Sequence, residues 1–154
     1  MRIAVISDVH NNMANLSKTL QFIKKENIKI LLCCGDLGSK ETLESLNKQF
    51  LGQIERVSGN LDKEMEIDGP DKKELIVNQK RIVFTHYPQE ARRLAKSQKY
   101  DIVFYGHTHK PWQEKIGRTI LVNPGNLEGT FYPASFAIYD SKTNGLELKI
   151  LQDL

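Results

Sequence analysis

The chain has 154 residues, of which 40% are hydrophobic and 27% charged, and its formal net charge at pH 7 is +3. This composition is typical of a globular protein and argues against disordered, fibrous and membrane-spanning classes. The small charge excess argues against stable nucleic-acid binding. The only two cysteines, Cys33 and Cys34, are adjacent and do not indicate a disulfide framework, so we expect a cytoplasmic protein.

The first half of the chain alternates predicted strands and helices. Short apolar runs typical of buried strands lie at residues 2–7, 30–34 and 54–57. Between them, apolar residues recur at helical spacing over residues 13–26, after Asn12 as N-cap, and again after Ser39. This alternation predicts a parallel sheet built from βαβ units.

The second half begins with a predicted hairpin. Residues 74–77 and 81–84 are apolar runs that flank a tight turn, Asn78-Gln79. A helix is predicted over residues 88–99, because Pro88 suits a first helical position. We expect residues 62–72 to form a surface loop.

The rest of the chain predicts further strands at 101–105, 119–123, 135–140 and 146–151. Asn144-Gly145 is a hairpin turn signal between the last two. We therefore expect an antiparallel C-terminal third, and one α/β domain over residues 1–154 with two sheets.

Potential metal ligands follow one predicted strand after another. All four histidines of the chain lie just beyond a strand, and two aspartates and one asparagine share this placement. The seven residues are Asp8, His10, Asp36, Asn60, His86, His107 and His109. Because ligands bind outside the carboxyl ends of strands in open α/β sheets, we expect these side chains to meet at one rim. A single histidine is more often an ordinary core or surface residue, and a single Gly-Asp or Gly-Asn is usually a turn. All seven residues would have to be explained in this way at the same time, so we favour a metal site.

Seven ligands are too many for one tetrahedral zinc ion, and they suit two divalent ions that share a carboxylate. The pairs Asp8/His10 and His107/His109 are two residues apart, so on an extended segment each pair points to one side. The glycines that precede Asp36, Asn60 and His107 are expected to permit a sharply turned backbone. We expect two divalent transition metal ions, Mn²⁺ first and Ni²⁺, Fe²⁺, Co²⁺ or Zn²⁺ as alternatives.

These residues, in this order, resemble the calcineurin-like metallophosphoesterase superfamily. The matching pieces are Asp8-Val9-His10, Gly35-Asp36, Gly59-Asn60, His86 and Gly106-His107-Thr108-His109, within residues 3–126. The short chain and its Asn123-Pro124-Gly125-Asn126 segment are similar to the small YfcE-like phosphodiesterase branch, although Asn126 replaces a serine. The resemblance implies an α/β fold of two packed mixed β-sheets flanked by helices, a four-layer αββα arrangement.

The resemblance also implies roles for the seven residues. Asp8, His10 and His109 would hold one metal. Asn60, His86 and His107 would hold the other, and Asp36 would bridge the two. The implied activity is hydrolysis of small phosphodiesters by a hydroxide between the metals, with Asp36, Asn60 and His107 as catalytic residues.

One position departs from the family pattern. Leu61 stands where many members carry a histidine that assists the leaving group. Asp62, Tyr87 or a metal-bound water are the candidates to replace it. Trp112 is a candidate to stack on a nucleobase, although edge packing explains it as well.

Three other interpretations remain open from the sequence. The first is a non-catalytic protein-binding scaffold that resembles a retromer subunit. The second is a DNA nuclease of the same superfamily, and the third is a module that binds one metal. The expected partner is a small phosphoester substrate, with no membrane, and an exposed sheet edge leaves a homo-oligomer open.

Overall fold

Ten strands and four helices make up the protein in a computed structural model that describes residues 1–154. In chain order they are β1 (Arg2–Ile6), α1 (Met13–Lys25), β2 (Ile30–Cys33), α2 (Lys40–Gln49), β3 (Gln53–Arg56), α3 (Asn60–Glu64), β4 (Lys72–Val77), β5 (Lys80–Thr85), α4 (Pro88–Lys96), β6 (Ile102–Phe104), β7 (Trp112–Ile116), β8 (Thr119–Asn123), β9 (Ser135–Asp140) and β10 (Gly145–Ile150). A 3₁₀ turn, Leu151–Asp153, follows the last strand.

The strands form two five-stranded sheets, in the orders β10-β9-β1-β2-β3 and β4-β5-β6-β8-β7. In the first sheet β1, β2 and β3 are parallel, and β9 and β10 are antiparallel neighbours. In the second sheet β5, β6 and β8 are parallel, between the antiparallel edge strands β4 and β7. Both sheets are therefore mixed, and each has three parallel strands whose carboxyl ends carry loops at one edge.

Three apolar layers hold the sheets and helices together. Helices α1 and α2 bury Leu16 and Leu46 against the outer face of the first sheet. The two sheets pack against each other through side chains that include Phe104 and Tyr139. Helix α4 covers the outer face of the second sheet with Leu94. The expected αββα order is confirmed, because each sheet has one face on helices and one on the other sheet.

Successive side chains along β1 and β2 point to opposite faces of the first sheet, so this sheet contributes to two apolar layers. Ala4 and Cys33 point into the layer with the helices, whereas Val5 and Cys34 point between the sheets. Both cysteines are free and buried, as their adjacency on a strand predicts.

The predicted helix caps and hairpin turn are confirmed. Asn12 accepts from the Asn15 N–H and Ser39 accepts from the Thr42 N–H, so each side chain satisfies a donor of the first helical turn. Between β4 and β5, Asn78 and Gln79 have φ of 48° and 66°, as a two-residue hairpin turn requires. None of the helices combines the length and apolarity needed to cross a lipid bilayer.

The second half departs from the sequence prediction in three places. Strand β7, at Trp112–Ile116, has no predicted counterpart because its residues are mostly polar and exposed at a sheet edge. Strand β7 runs antiparallel to β8 and reverses the chain direction before it, so β8 lies parallel to β6. The expected antiparallel arrangement of the C-terminal third is therefore wrong for the pairing of β8 with β6. The expectation is correct for β9 and β10. Residues 62–64 end helix α3 rather than lying in the expected 62–72 loop.

Candidate metal centre

All seven predicted site residues follow the carboxyl ends of parallel strands, six of them on loops and Asn60 at the start of a helix. Asp8 and His10 follow β1, Asp36 follows β2, Asn60 starts α3 after β3, His86 follows β5, and His107 and His109 follow β6. The first four therefore come from the first sheet and the three remaining histidines come from the second. The structure brings both sets together at one rim.

Two carboxylates lie at the centre of this cluster. Oδ2 of Asp36 lies 3.4 Å from Nε2 of His10 and 3.4 Å from Nε2 of His86. Oδ1 of Asp8 lies 3.6 Å from Nε2 of His10 and 3.4 Å from Nε2 of His109. Asp8, His10 and His109 thus form one group that could hold a cation, and Asp8, Asp36 and His86 form a second.

Asn60 extends the cluster toward the second sheet. Its Oδ1 atom lies 3.1 Å from Nε2 of His86 and 3.1 Å from Nδ1 of His107. The two imidazole nitrogens lie 3.2 Å apart. One amide oxygen and two imidazole nitrogens therefore point at a common space next to Asp36.

Hydrogen bonds from neighbouring groups determine which atoms of the candidate ligands remain free to bind a cation. Ser7 Oγ and the backbone N–H of His107 both donate to Oδ2 of Asp8, at 2.6 Å and 3.0 Å. Nδ1 of His86 lies 2.8 Å from the carbonyl of Cys34, which can only accept, so the ring proton is on Nδ1. These contacts direct Oδ1 of Asp8 and the lone pair of His86 Nε2 into the site.

The site contains buried polar atoms without hydrogen-bond partners. They are Oδ1 of Asp8, Nε2 of His10 and Nδ1 of His109. A buried unpaired polar atom costs free energy, and a cation between Oδ1 of Asp8 and Nε2 of His10 would satisfy both. Imidazole nitrogen, carboxylate oxygen and amide oxygen, without thiolate, form a donor set that fits divalent transition metal ions.

The charged groups of the site shift one another's protonation. Burial alone would raise the pKa of Asp8, but contacts with His10 and His109 outweigh it and lower this pKa to about 2. Contacts with Asp36 and Asp8 raise the pKa of His10 to about 10, and those with His10 and His86 lower the pKa of Asp36 against the effect of its burial. The carboxylates are ionised at neutral pH, so a metal competes with imidazole protons for them.

Most of these residues have a backbone conformation that is rare outside glycine. The φ angles are 53° at Asp8, 46° at His10, 57° at Asp36, 73° at His107 and 62° at His109. Non-glycine residues in this region cost free energy and concentrate at functional sites. The surrounding hydrogen bonds therefore stabilise a strained arrangement, which no pattern in the sequence indicates.

The neighbouring glycines serve two different purposes. Gly35 has φ of +102°, which confirms the expected sharp turn before Asp36. The same expectation is wrong for Gly59 and Gly106, where space is the requirement. A Cβ atom on Gly59 would lie 2.0 Å from Oδ1 of Asp36, and one on Gly106 would lie 2.0 Å from Oγ of Ser7.

Asp62 has a structural role that excludes it as a general acid. Its carboxylate is fully buried and accepts the backbone N–H groups of Asp36, Leu37, Gly38 and Gly59 at 2.7–3.3 Å. Four such donors hold the carboxylate away from any substrate. Asp62 instead fixes the two segments that carry Asp36 and Asn60. Tyr87 packs its ring against His107, with centroids 6.1 Å apart, and stays a candidate.

Glu128 is a site residue that the sequence analysis missed. Its Oε2 atom lies 3.2 Å from Nδ1 of His109, out of line for a hydrogen bond, and 3.9 Å from Nδ1 of His10. Its backbone N–H donates to the carbonyl of Asp8 at 2.9 Å. The one sequence signal for Glu128 as a site residue is its position two residues after the Asn123–Asn126 segment.

The Asn123–Asn126 segment supports the loop that carries His107 and His109. The Asn123 amide donates to the carbonyl of Gly106 at 3.1 Å. Asn126, which replaces the serine of related proteins, is buried and donates to the carbonyl of His109 at 3.0 Å. Both side chains therefore hold the backbone of the Gly106–His109 loop.

Residues 1–144 match the calcineurin-like phosphoesterase superfamily domain. The chain therefore belongs to this superfamily, which confirms the resemblance seen in its motifs.

Individual relatives carry phosphodiesterase and metallophosphoesterase names. Phosphodiesterase MJ0936 of Methanocaldococcus jannaschii is 27% identical over 142 residues, covering 84% of this chain and 86% of the relative. Probable metallophosphoesterase MJ0623 of the same organism is 31% identical over an alignment of 161 residues, covering 98% and 81%. Phosphodiesterase YfcE of Escherichia coli is 26% identical over an alignment of 166 residues, covering 92% and 88%.

Solved structures share the fold. An archaeal phosphodiesterase superposes with a TM-score of 0.85 at 23% identity, over 97% of this chain and 99% of the other. Vps29 of Chaetomium thermophilum superposes with a TM-score of 0.73 at 20% identity, over 97% and 95%. The same fold thus occurs in a protein named a phosphodiesterase and in one named Vps29. Because the fold does not determine the function, the function has to be inferred from the site.

Proposed function

We propose that residues 1–154 form one phosphodiesterase domain that hydrolyses small phosphodiesters at a centre of two divalent metal ions. The observation that carries this proposal is the position of Asp36. Its Oδ2 atom is equally distant, at 3.4 Å, from a nitrogen of His10 and a nitrogen of His86. A carboxylate oxygen between two imidazole groups is suited to be shared by two cations.

The chain offers a ligand set for each ion. Asp8, His10 and His109 would hold the first, and Asn60, His86 and His107 would hold the second. Asp36 would contribute to both. Mn²⁺ is our first choice, with Ni²⁺, Fe²⁺, Co²⁺ and Zn²⁺ as alternatives. Divalent ions in such a centre supply Lewis acidity toward phosphoryl oxygens and activate water.

The chain's own residues would position the substrate and stabilise charge. His107 is the exposed histidine of the cluster, so its imidazole would donate to a phosphoryl oxygen as negative charge builds there. The Cys34 carbonyl keeps His86 in one tautomer, and Asn60 and Asp36 complete the arrangement of the second ligand set.

Charge balance supports an anionic substrate. Asp8, Asp36 and Glu128 bring three negative charges to the site, and two divalent ions would bring four positive charges. Two divalent ions would therefore cancel the negative charge of the carboxylates, which alone repel a phosphodiester anion. Metal binding should therefore precede substrate binding.

Hydrolysis of bis-p-nitrophenyl phosphate tests the proposal. The protein is stripped with a chelator and reloaded separately with each of the five metals, and bound metal per chain is measured by elemental analysis. We expect two ions per chain and metal-dependent hydrolysis. His86→Ala and Asp36→Asn should abolish hydrolysis, while Asp153→Asn, at an exposed C-terminal position, should leave it intact.

Two results would contradict the proposal. Stoichiometry near one ion per chain would favour a mononuclear module. No hydrolysis with any metal would favour the protein-binding scaffold, the alternative on which the Vps29 likeness bears. We favour the enzyme because all seven predicted ligands are present at one rim and because relatives such as MJ0936 and YfcE are named phosphodiesterases.

A further inference from the structure

Two exposed aromatic side chains lie beside the site histidines. Phe131 is 82% exposed and Tyr132 is 39% exposed, both on the loop between β8 and β9. Together with His107, Thr108 and His109 they line an open cavity of about 540 Å³. This volume lies in the range of small-molecule binding sites, and the cavity joins a polar metal-binding rim to an aromatic wall.

One buried amide fixes the aromatic loop relative to the site. Asn126 donates through Nδ2 to the carbonyls of His109 at 3.0 Å and Tyr132 at 3.4 Å. Its Oδ1 accepts the N–H of Gly129 at 2.6 Å. The backbone of the loop is therefore tied directly to the backbone of a proposed ligand. The aromatic side chains are held next to the centre.

Resting on the proposed function, we propose that Phe131 and Tyr132 form a stacking site for a planar aromatic group esterified to the phosphate. The metal-binding rim takes the phosphoryl group, and the adjoining ring surface takes the flat group attached to it. Aromatic side chains stack on aryl groups and on every nucleobase, because each presents a π face. The substrate class is then an aryl or nucleoside phosphodiester, in preference to a purely aliphatic one.

Trp112, the aromatic residue singled out in the sequence, does not share this cavity. It lines a separate cavity with Leu146 and Leu148, and Nζ of Lys110 lies 5.4 Å from its ring centroid. Trp112 is therefore a matched control for an exposed aromatic side chain outside the proposed site.

Three phosphate esters test the proposal as competitive inhibitors of bis-p-nitrophenyl phosphate hydrolysis. They are methyl phosphate, phenyl phosphate and thymidine 5′-phosphate, which share the phosphoryl group and differ in whether a planar group is attached to it. We expect the inhibition constants of the thymidine and phenyl esters to lie about 5- to 100-fold below that of methyl phosphate. Phe131→Ala with Tyr132→Ala should remove most of this preference. Phe131→Trp and Trp112→Ala should both retain it.

The outcomes separate this inference from the proposed function. Similar inhibition constants for all three esters, or a preference that survives the double substitution, overturns the stacking site and leaves the phosphodiesterase standing. A phenyl ester that binds as tightly as the thymidine ester supports a general aryl site, and a thymidine ester that binds more tightly supports a nucleobase site. If bis-p-nitrophenyl phosphate is not hydrolysed, the proposed function fails, and calorimetry of Mn²⁺-treated protein decides the inference: equal affinity for thymidine 5′-phosphate and methyl phosphate overturns it.

Discussion

Oε2 of Glu128 lies 3.2 Å from Nδ1 of His109, while Nε2 of the same ring lies 3.4 Å from Oδ1 of Asp8. The imidazole is thus placed between two carboxylates, one at the cluster's centre and one behind the ring. The negative charge of Glu128 favours a proton on Nδ1 of the ring, which leaves the lone pair on Nε2 free for the proposed metal ion.

Removing the charge of Glu128 should weaken metal binding. We expect Glu128→Gln to lower Mn²⁺ affinity by about 10- to 100-fold without loss of fold, because a neutral amide no longer attracts the ring protons of His10 and His109. Calorimetric titration of the chelated protein measures the change. Glu147→Gln, on the exposed face of β10, is the matched control. Equal affinities in wild type and Glu128→Gln would show that Glu128 does not support the ligands.

The Asp62 carboxylate should contribute more to stability than an ordinary aspartate. In Asp62→Asn the side chain keeps one acceptor oxygen but turns an amide toward backbone N–H groups that need acceptors. We expect a loss of about 2–3 kcal/mol in the free energy of unfolding and a lower bound-metal content. Guanidinium denaturation and elemental analysis check both, and Asp68→Asn, an exposed position on the following loop, should be neutral. An unchanged unfolding midpoint would contradict the assigned role.

Substitutions of Gly59 and Gly106 should damage the site through contact alone. Alanine at either position places a methyl group 2.0 Å from a buried oxygen, and both oxygens are held by hydrogen bonds, Oδ1 of Asp36 to the Leu61 N–H and Oγ of Ser7 to Asp8. We expect Gly59→Ala and Gly106→Ala to lose metal binding and about 1–3 kcal/mol of stability. In Gly145→Ala the new methyl group meets only the hydroxyl of Thr143 in an exposed turn, so thermal unfolding should barely change. Normal metal binding by Gly59→Ala would refute the steric argument.

The thiols should be inert in the folded protein. Burial raises the pKa of Cys33 to about 12 and that of Cys34 well above its ordinary value, and only the thiolate reacts readily. Ellman's reagent at mildly alkaline pH should detect no thiol in the native protein and both cysteines in concentrated guanidinium chloride. Reaction of the native protein at the rate of a free thiol would indicate that β2 opens frequently.

Leu61 offers a test of leaving-group assistance. Leu61→His places a histidine next to Asn60, where the superfamily pattern noted in the sequence analysis often has one. General acid assistance matters only for a poor leaving group, so we expect about 10²-fold or greater acceleration with alkyl leaving groups and little change with p-nitrophenolate. Leu61→Asn controls for polarity at the same position. Equal acceleration of both kinds of ester would show that the histidine acts in some other way.

The sequence predicted those features that depend on short-range patterns. Buried strands are continuous apolar runs, and the ligands follow them directly, so the rim could be located without coordinates. Strand β7 could not be predicted, because Gln113, Glu114 and Lys115 give an edge strand no apolar signal. The parallel pairing of β8 depends on that strand and was lost with it.

Other features depend on contacts between distant segments. Nothing near Asp62 indicates that its carboxylate meets the backbone of a loop 26 residues earlier in the chain. Glu128 lies on a loop without periodicity, and its proximity to His10 arises only when the two sheets pack. The left-handed φ angles of the ligands are likewise imposed by the fold, because aspartate and histidine alone do not require them.

The division of the ligands between the sheets has a consequence for protein engineering. The backbone N–H of His107, from the second sheet, donates to the carboxylate of Asp8, from the first, and the rings of Phe104 and Tyr139 pack 6.0 Å apart in the layer between them. The spacing of the candidate ligands therefore depends on the thickness of the apolar layer between the two sheets. Attempts to change the metal selectivity of the proposed centre should vary that layer as well as the rim.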